Sequence, residues 1–240
     1  MQKKRDIVLL SGGADSATCL GILMQAQSSD DVLALCLYYG QRHEREIMAA
    51  RQVAEHYRVP LMEMDLSPVF RESGCSLLKG SSSALPVGSY VEQQKAAPGE
   101  PVKTYVPFRN GVLLSVASSV ASSIGAERVH YGAHADDAAG NAYPDCSRDF
   151  VSAMSTAAYL GTGNQVQIFA PFVDLPKAEI IRKGLEIGVP YHLTWSCYAG
   201  GEKPCGVCGT CIDRVAAFHA NGAEDPLLEG ICTESQNVLK

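Results

Sequence analysis

The residues with the clearest chemical potential are the six at positions 11–16, Ser-Gly-Gly-Ala-Asp-Ser. They directly follow the apolar run Ile7-Val8-Leu9-Leu10, which predicts a buried strand. The two glycines let the backbone turn sharply, and residues 15–24 then show helical spacing. A glycine turn that leads into a helix N-terminus is suited to binding a phosphate group. An ordinary capped turn is the alternative, and the full hexapeptide pattern favours nucleotide binding over it.

This hexapeptide resembles the PP-loop of the ATP pyrophosphatase superfamily, whose members split ATP into AMP and pyrophosphate. It is not a Walker P-loop, because no Gly-Lys-Ser/Thr sequence follows it. The resemblance implies that the loop cradles pyrophosphate. We expect the nucleotide to contact the consecutive residues Leu10, Ser11, Gly12, Gly13, Ala14, Asp15, Ser16 and Ala17.

A second group of residues near the C-terminus could bind a metal ion. Its members are Cys197, Cys205, Cys208 and Cys211, with the spacing C-x7-C-x2-C-x2-C. Four thiolates suit tetrahedral zinc, and the glycines between them allow the tight turns that aim the sulfurs at one point. An iron–sulfur cluster also takes four thiolates and is the main competitor, and unrelated buried thiols are the third explanation. We predict a structural zinc that folds this region against the rest of the protein.

The rest of the chain alternates strand-like and helix-like segments. The patterns predict further strands at 31–37, 61–65, 128–132 and 166–170, and helices at 44–57, 109–124 and 177–187. Such alternation predicts an α/β fold with a parallel, doubly wound sheet. A sheet of this kind binds ligands at the carboxyl ends of its strands, which is where residues 11–16 lie.

Composition shifts suggest how the chain is divided. We expect a nucleotide-binding α/β domain over residues 1–192 and a small cysteine-rich region over residues 193–240, packed on it. Residues 66–106 are rich in Ser, Gly and Pro and interrupt the alternation, which predicts a long loop or insertion. A loop of this length is usually either a lid over the active site or disordered, and both alternatives stay open.

Several polar side chains follow the predicted strands on the ligand side of the sheet. Arg42, Arg109 and Lys177 are candidates to offset phosphate charge. Asp15, Asp137 and Asp145 are candidates to hold magnesium or to accept hydrogen bonds from a heterocycle. Each alone is equally explained by a helix cap or a solvated charge, and the case for function rests on their shared place beside the nucleotide loop.

Together these motifs closely resemble the 7-cyano-7-deazaguanine synthase family, the nitrile-forming enzymes of the queuosine and archaeosine pathways. The resemblance covers nearly the whole chain in order. It rests on the PP-loop, the four cysteines, and the segments Tyr39-Gly-Gln-Arg-His43, Val106-Pro-Phe-Arg-Asn110 and Tyr143-Pro-Asp-Cys146. The chain departs from the family at Phe108, where the family often has glycine, and at residues 132–141, a stretch that is longer than in some members.

The resemblance implies an ATP-dependent, PP-loop ligase with the adenine nucleotide alpha hydrolase-like fold. It implies that 7-carboxy-7-deazaguanine, ammonia and two ATP become the nitrile by way of an acyl adenylate and an amide. We expect ATP, zinc and magnesium as cofactors, and free ammonia as the nitrogen source. The expected catalytic residues are Asp15, Ser16, Lys177 and Arg109, and the expected substrate-binding residues are Tyr39, Arg42, Asp137, Tyr143 and Asp145.

Three other functions remain open at this stage. A related PP-loop ligase would pass the same activated carboxylate to an amine of a protein or another acceptor. A tRNA-modifying PP-loop enzyme would adenylate a base, although the net charge of −6 disfavours direct nucleic-acid binding. The cysteines could instead form a zinc ribbon for a protein partner.

The composition also indicates in which cellular compartment the protein is expected. The 240 residues contain 46% hydrophobic residues, yet no apolar run approaches the roughly 20 residues of a membrane helix. The nine cysteines are expected to be thiols or metal ligands, as is usual in the cytoplasm. We therefore expect a cytoplasmic protein that binds no membrane. A homodimer is expected as well, although nothing in the composition determines the oligomeric state.

Overall fold

The computed structural model describes residues 5–228 and centres on one five-stranded sheet. All four strand pairings in it are parallel, and the strand order is β3-β2-β1-β4-β5. The strands are β1 (Asp6–Leu9), β2 (Val32–Tyr38), β3 (Leu61–Asp65), β4 (Arg128–His130) and β5 (Gln167–Phe169). The chain winds outward in one direction from β1 and then in the other from β4, so the topological switch point lies between these two strands. The predicted doubly wound parallel sheet is confirmed.

Eight α-helices connect or flank the strands in the described part of the chain. They are α1 (Ala14–Ala26), α2 (Arg45–His56), α3 (Tyr90–Ala96), α4 (Arg109–Ile124), α5 (Ala135–Ala138), α6 (Arg148–Gly161), α7 (Lys177–Glu186) and α8 (Gly209–His219). The predicted bounds of α4 are confirmed, and those of α1, α2 and α7 are correct to within two residues at each end. Sequence periodicity missed α3, α5, α6 and α8.

The sheet buries an apolar layer on each of its faces. Side chains of α1, α2, α7 and α8 cover one face, where Leu20, Val53 and Ile180 are fully buried. Helices α4 and α6 cover the other face, where Leu114 and Val129 are fully buried. Strand β1 contributes side chains to both layers, because neighbouring residues of a β-strand point to opposite faces of the sheet.

The segment 66–106 is folded against the carboxyl end of β2. It contains a 3-10 turn at Ser67–Phe70 and the short helix α3, which begins at a capping box formed by Ser89 and Glu92. A separate small apolar cluster holds the segment to Tyr39. The Arg42 guanidinium adds three hydrogen bonds, donated to the carbonyl oxygens of Ser76, Ser81 and Ser83.

The cysteine-rich region packs on the α/β domain through α8. Arg214 of this helix is 2% exposed and forms a paired hydrogen bond with the Asp225 carboxylate, at 2.7 and 3.0 Å. The same guanidinium donates to Thr194 Oγ1 and to the carbonyl oxygen of Tyr191. Of the predicted region 193–240, residues 229–240 lie outside the described residues, as do residues 1–4. Between residues 5 and 228, no helix is both long and apolar enough to cross a membrane.

The buried Arg214–Asp225 pair gives a test of how this region is held. Replacing Arg214 with Ala should lower the free energy of unfolding by about 3–5 kcal/mol, because Asp225 would then be a buried, unpaired charge. Arg182→Ala is the matched control, since Arg182 is also paired with carboxylates, those of Glu179 and Glu186, but its side chain is 43% exposed. We expect it to cost less than about 1 kcal/mol. Urea unfolding of both variants would contradict this account if the two losses were equal.

Candidate active site

A cavity of about 230 Å³ opens at the carboxyl ends of β1, β2 and β4. Its lining includes residues from the first turn of six helices: Asp15 (α1), Glu46 (α2), Arg109 (α4), Asp137 (α5), Lys177 (α7) and Thr210 (α8). Helix N-termini carry partial positive charge and unpaired backbone N–H groups. The cavity is therefore electrostatically suited to a polyanion.

The loop between β1 and α1 forms one wall of this cavity. Gly12 adopts a left-handed φ of +86°, and a Cβ atom there would lie 2.2 Å from the Glu46 carbonyl oxygen. Only glycine fits, because both the backbone conformation and the close approach of α2 exclude a side chain. The hydroxyls of Ser11 and Ser16 lie 3.1 Å apart, and Ser16 also donates to the Gly13 carbonyl oxygen. These contacts fix the loop without using the N–H groups at the start of α1.

Helix α1 begins at Gly13 without any side-chain cap. Helix N-termini usually acquire a cap from Ser, Thr, Asp or Asn, which satisfies one of the free N–H donors. Here Ser16 Oγ bonds backward to a carbonyl, and Asp15 turns toward another helix. The first turn of α1 is thus left open to an anion from the cavity.

Asp15 joins α1 to α7 through Lys177. The Lys177 Nζ donates to Asp15 Oδ2 at 2.6 Å, although the two residues are 162 positions apart. Burial opposes the charged amine, but the adjacent Asp15 carboxylate raises the pKa of Lys177, so it stays protonated. His134 completes this group, with its Nε2 3.3 Å from Asp137 Oδ2 and 3.8 Å from Asp15 Oδ2.

Two polar atoms of this group are buried and find no hydrogen-bond partner among the described residues. They are Asp15 Oδ1 and His134 Nδ1. Buried polar atoms in folded proteins are nearly always paired. Their concentration beside the α1 N-terminus indicates that a ligand or ion completes the hydrogen bonding there.

A second polar group lies where β2 ends. The Arg109 guanidinium stacks over the Tyr39 ring at 4.9 Å, which places a cation and an aromatic ring together in the cavity wall. Gln41 is buried, and its side-chain oxygen accepts the Tyr39 N–H at 3.0 Å. Its amide N–H group is thereby turned to the Glu46 carboxylate. Burial raises the pKa of Glu46 to about 7.

Three predicted substrate residues lie outside the cavity lining. Arg42 holds the 66–106 segment, as described above. Asp145 is 3% exposed and accepts the backbone N–H of Asn110 at 2.9 Å, so it binds the start of α4. The Tyr143 hydroxyl is hydrogen-bonded to Thr104 at 2.6 Å and to two other tyrosines. By contrast, Tyr39 and Asp137 line the cavity.

The structure shows how the protein accommodates Phe108 at a position where the family often has glycine. It precedes α4 with a left-handed φ of 55°, which glycine adopts without strain and phenylalanine does not. Its ring covers Gly111, where a Cβ atom would lie 2.4 Å from the ring, and meets Phe150 edge-on at 6.0 Å. The packing of the aromatic ring accompanies the strained backbone at the start of α4.

Several cavity residues escaped sequence reasoning. Glu46 and Asp213 are carboxyls whose pKa values burial raises, to about 7 and about 6 respectively. Tyr131 follows β4, and Tyr90 and Tyr198 come from the 66–106 segment and the cysteine-rich region. Two of these residues could have been found from the sequence. Glu46 lies in the first turn of the predicted helix 44–57, and Tyr131 lies near the carboxyl end of the predicted strand 128–132. The other three depend on how distant segments pack.

The four predicted metal ligands come together. The sulfur atoms of Cys197, Cys205, Cys208 and Cys211 all lie within 4.8 Å of one another. Metal–sulfur bonds of about 2.3 Å in a tetrahedron place the sulfurs about 3.8 Å apart, so the set fits a single metal ion. Backbone N–H groups of Cys205 and Ala199 donate to the Cys197 sulfur. Such N–H groups favour the thiolate form of Cys197, which is the form that binds a metal.

Comparison with known proteins gives a consistent result. The family described as Queuosine biosynthesis protein QueC matches residues 5–222. A 7-cyano-7-deazaguanine synthase of Archaeoglobus fulgidus is 45% identical over 98% of this chain and 93% of its own length. The synthase of Caldicellulosiruptor bescii is 42% identical over 93% of this chain and 96% of its own. Among solved structures, the U34-tRNA thiolase NcsA of Methanococcus maripaludis is 16% identical with a TM-score of 0.49, over 82% of this chain and 62% of the thiolase.

Proposed function

We propose that this chain, which belongs to the QueC family of queuosine biosynthesis proteins, converts 7-carboxy-7-deazaguanine to 7-cyano-7-deazaguanine with ammonia and two ATP. The observation that carries the proposal is the uncapped N-terminus of α1 beside the buried, protonated Lys177, which together suit the leaving pyrophosphate. The name 7-cyano-7-deazaguanine synthase, borne by relatives that match almost the full chain, supports the choice of substrate.

The first half of the reaction activates the carboxylate. A carboxylate is a poor electrophile, because it is negatively charged and its oxygen is a poor leaving group. The substrate carboxylate oxygen therefore attacks the α-phosphorus of ATP, pyrophosphate leaves, and an acyl adenylate forms. Ammonia then attacks the acyl carbon, AMP leaves with the carboxylate oxygen, and one proton is released to give the amide.

The second half repeats the activation on the amide. The amide oxygen attacks a second ATP, and pyrophosphate leaves again. Loss of AMP with that oxygen and of the two nitrogen-bound protons forms the carbon–nitrogen triple bond. No covalent nucleophile from the protein is needed, so the chain acts by positioning, charge stabilisation and exclusion of water.

The cavity residues supply these functions. We assign the pyrophosphate cradle to residues 11–16, with Ser16 and the N–H groups of α1 as donors. Lys177 and Arg109 offset the charge that develops on pyrophosphate, and Asp15 orients Lys177 at 2.6 Å. Tyr39 offers a ring face to the deazaguanine, and Asp137 a carboxylate for its N–H groups. Tyr143, Asp145 and Arg42 do not contact the substrate in this proposal. They hold in place the elements that carry the cavity residues.

Magnesium fits the acidic end of the cavity. Asp15 Oδ1 is buried without a partner among the described residues, and the Asp137 carboxylate lies beside the same His134. Magnesium prefers such oxygen ligands together with phosphate oxygens. When bound, it would neutralise phosphate charge.

We propose zinc as the metal at the four cysteines. A single ion with four protein thiolates has no open coordination position, which suits a structural and not a catalytic role. The site braces the segment that carries Trp195, Ser196 and Tyr198 into the cavity wall. We further propose a cytoplasmic homodimer that uses free ammonia and binds no nucleic acid directly, in keeping with its acidic charge and its thiol-rich composition.

The PP-loop assignment predicts the products of ATP turnover. Wild-type protein should form AMP and pyrophosphate from ATP in the presence of the carboxylate. Asp15→Asn should lower this rate at least about a hundredfold, because Lys177 loses its charged partner beside the leaving group. Asp149→Asn, at an exposed position on α6, is the control and should retain wild-type activity. Formation of ADP and phosphate as direct products, followed with labelled ATP, would contradict the assignment.

The substrate assignment predicts how far the reaction runs. With the carboxylate, ammonium and excess ATP, mass analysis should show the amide appearing first and the nitrile replacing it. Two AMP should form for each nitrile. If the amide accumulated and no nitrile followed after long incubation, the protein would instead be an amide-forming ligase of the same superfamily.

The zinc assignment predicts one zinc per chain in freshly purified protein. Cys208→Ser should lose most of it, because removing one thiolate opens a site whose apparent binding free energy is on the order of 10 kcal/mol. Cys19→Ala is the control, since Cys19 is a buried thiol in α1 away from the cluster. Elemental analysis that found iron, or equal zinc loss in both variants, would reject the assignment.

A further inference from the structure

Tyr131 carries a buried hydroxyl that the fold leaves unpaired. The residue is 5% exposed, and its hydroxyl has no hydrogen-bond partner among the described residues. It follows β4 directly and lines the cavity. Leaving a buried hydroxyl without a partner costs free energy, so such atoms are rare unless something binds them.

Other buried tyrosines in the chain show the contrast. The Tyr191 hydroxyl lies 2.8 Å from Thr18 Oγ1, and the Tyr143 hydroxyl lies 2.6 Å from Thr104 Oγ1. Tyr131 is equally buried and lines the cavity, yet its hydroxyl has no partner in the described part of the chain. The partner that it lacks in the protein would therefore be a ligand.

The surroundings of Tyr131 define the shape and polarity of that ligand. Tyr131 lies on the α4 face of the sheet, in the same apolar layer as Leu9, Leu35, Leu113 and Cys146. All five residues line the cavity, and none of them carries a charge. The charged lining residues lie instead in the first turns of helices, at His134 and at Asp213. Between the strand ends and Leu113 of α4 the lining is therefore largely apolar, and this part of the cavity, the slot, suits an uncharged ring.

The slot lies close to the phosphate end of the cavity. Leu9 ends β1, and Ser11 of the nucleotide loop follows two residues later, about 7 Å along an extended chain. A ligand whose phosphates rest on residues 11–16 can therefore place its base against Leu9. The deazaguanine substrate carries a carboxylate, which suits the charged part of the cavity better than this slot.

We infer that Tyr131 binds the adenine base of ATP through its hydroxyl. A hydroxyl both donates and accepts, and adenine presents an amino donor beside ring-nitrogen acceptors. This assignment rests on the proposed function in that it takes ATP as the nucleotide. Tyr131 thus acts as a binding residue that positions the nucleotide.

The test is Tyr131→Phe, which removes one oxygen atom and keeps the ring. Calorimetric titration with α,β-methylene-ATP, which cannot be cleaved to AMP, should show affinity falling roughly three- to tenfold, as for the loss of one neutral hydrogen bond. The KM for ATP should rise by a similar factor, while the KM for the carboxylate stays unchanged. The melting temperature of the free protein should not fall, since no internal hydrogen bond is lost.

Tyr191→Phe is the matched control. Its hydroxyl is paired with Thr18 inside the core, so the variant should melt at a lower temperature and bind the nucleotide as wild type does. If Tyr131→Phe behaved in the same way, its hydroxyl would be structural and the inference would be overturned.

The other outcomes are equally decisive. Unchanged nucleotide affinity would overturn the inference, and so would a rise in KM confined to the carboxylate, which would assign the slot to the substrate. The titration uses no carboxylate. A wild-type protein that bound the nucleotide but formed no nitrile would therefore count against the proposed function and leave the role of Tyr131 intact.

Discussion

The structure depends on keeping the N-terminus of α1 uncapped and fixed at the edge of the sheet. Without a cap, the first turn of a helix loses stabilisation that other contacts must replace. Three contacts do so here: α2 packs against Gly12, Trp195 donates its N–H to the Gly12 carbonyl oxygen, and Gly132 packs against the backbone of Asp15. These contacts hold the loop in place and leave the uncapped first turn of α1 open to an anion.

The cysteine-rich region is part of the same arrangement. Trp195 lies in this region, two residues before Cys197, and its indole N–H donates to the Cys197 carbonyl oxygen at 2.9 Å. Through the Trp195 backbone, the geometry of the cysteine cluster is coupled to the loop at residues 11–16. Arg214 reinforces that link, because it binds Thr194 and Asp225 from inside the same region. The cluster therefore supports the active site without having to contact the substrate.

Local patterns predicted the fold where each element had its own signal. The apolar run before residues 11–16 and the 3–4 spacing within α4 gave β1 and the bounds of Arg109–Ile124 correctly. Helix α6 was missed although its apolar residues lie on one face, and none of its residues is fully buried. Helix α8 was missed because its first turn follows directly on cysteines whose spacing suggested turns alone. An apolar stripe indicates a helix, but how deeply that stripe is buried depends on the tertiary packing.

The sequence predicted which residues belong to the candidate site better than it predicted how they are arranged. Sequence motifs identified Asp15 and Lys177 separately, and only the fold of the sheet brings them to 2.6 Å. Asp145 and Tyr143 belong to a motif beside the cavity, yet their polar atoms are used by Asn110 and Thr104. Which of two neighbouring polar residues faces a ligand depends on tertiary hydrogen bonding, and a single sequence does not contain that information.

The unpaired polar atoms of the described chain are not spread evenly. Three of the six buried ones, on Asp15, His134 and Tyr131, belong to residues that line this one cavity. Each lowers the stability of the free protein relative to a fully hydrogen-bonded core. A ligand that supplies the missing partners recovers this free energy only when it binds in the correct pose, so the same atoms that weaken the free fold contribute to selective binding. The core below the cavity, with its paired Tyr191 and Arg214, supplies the stability that allows this arrangement.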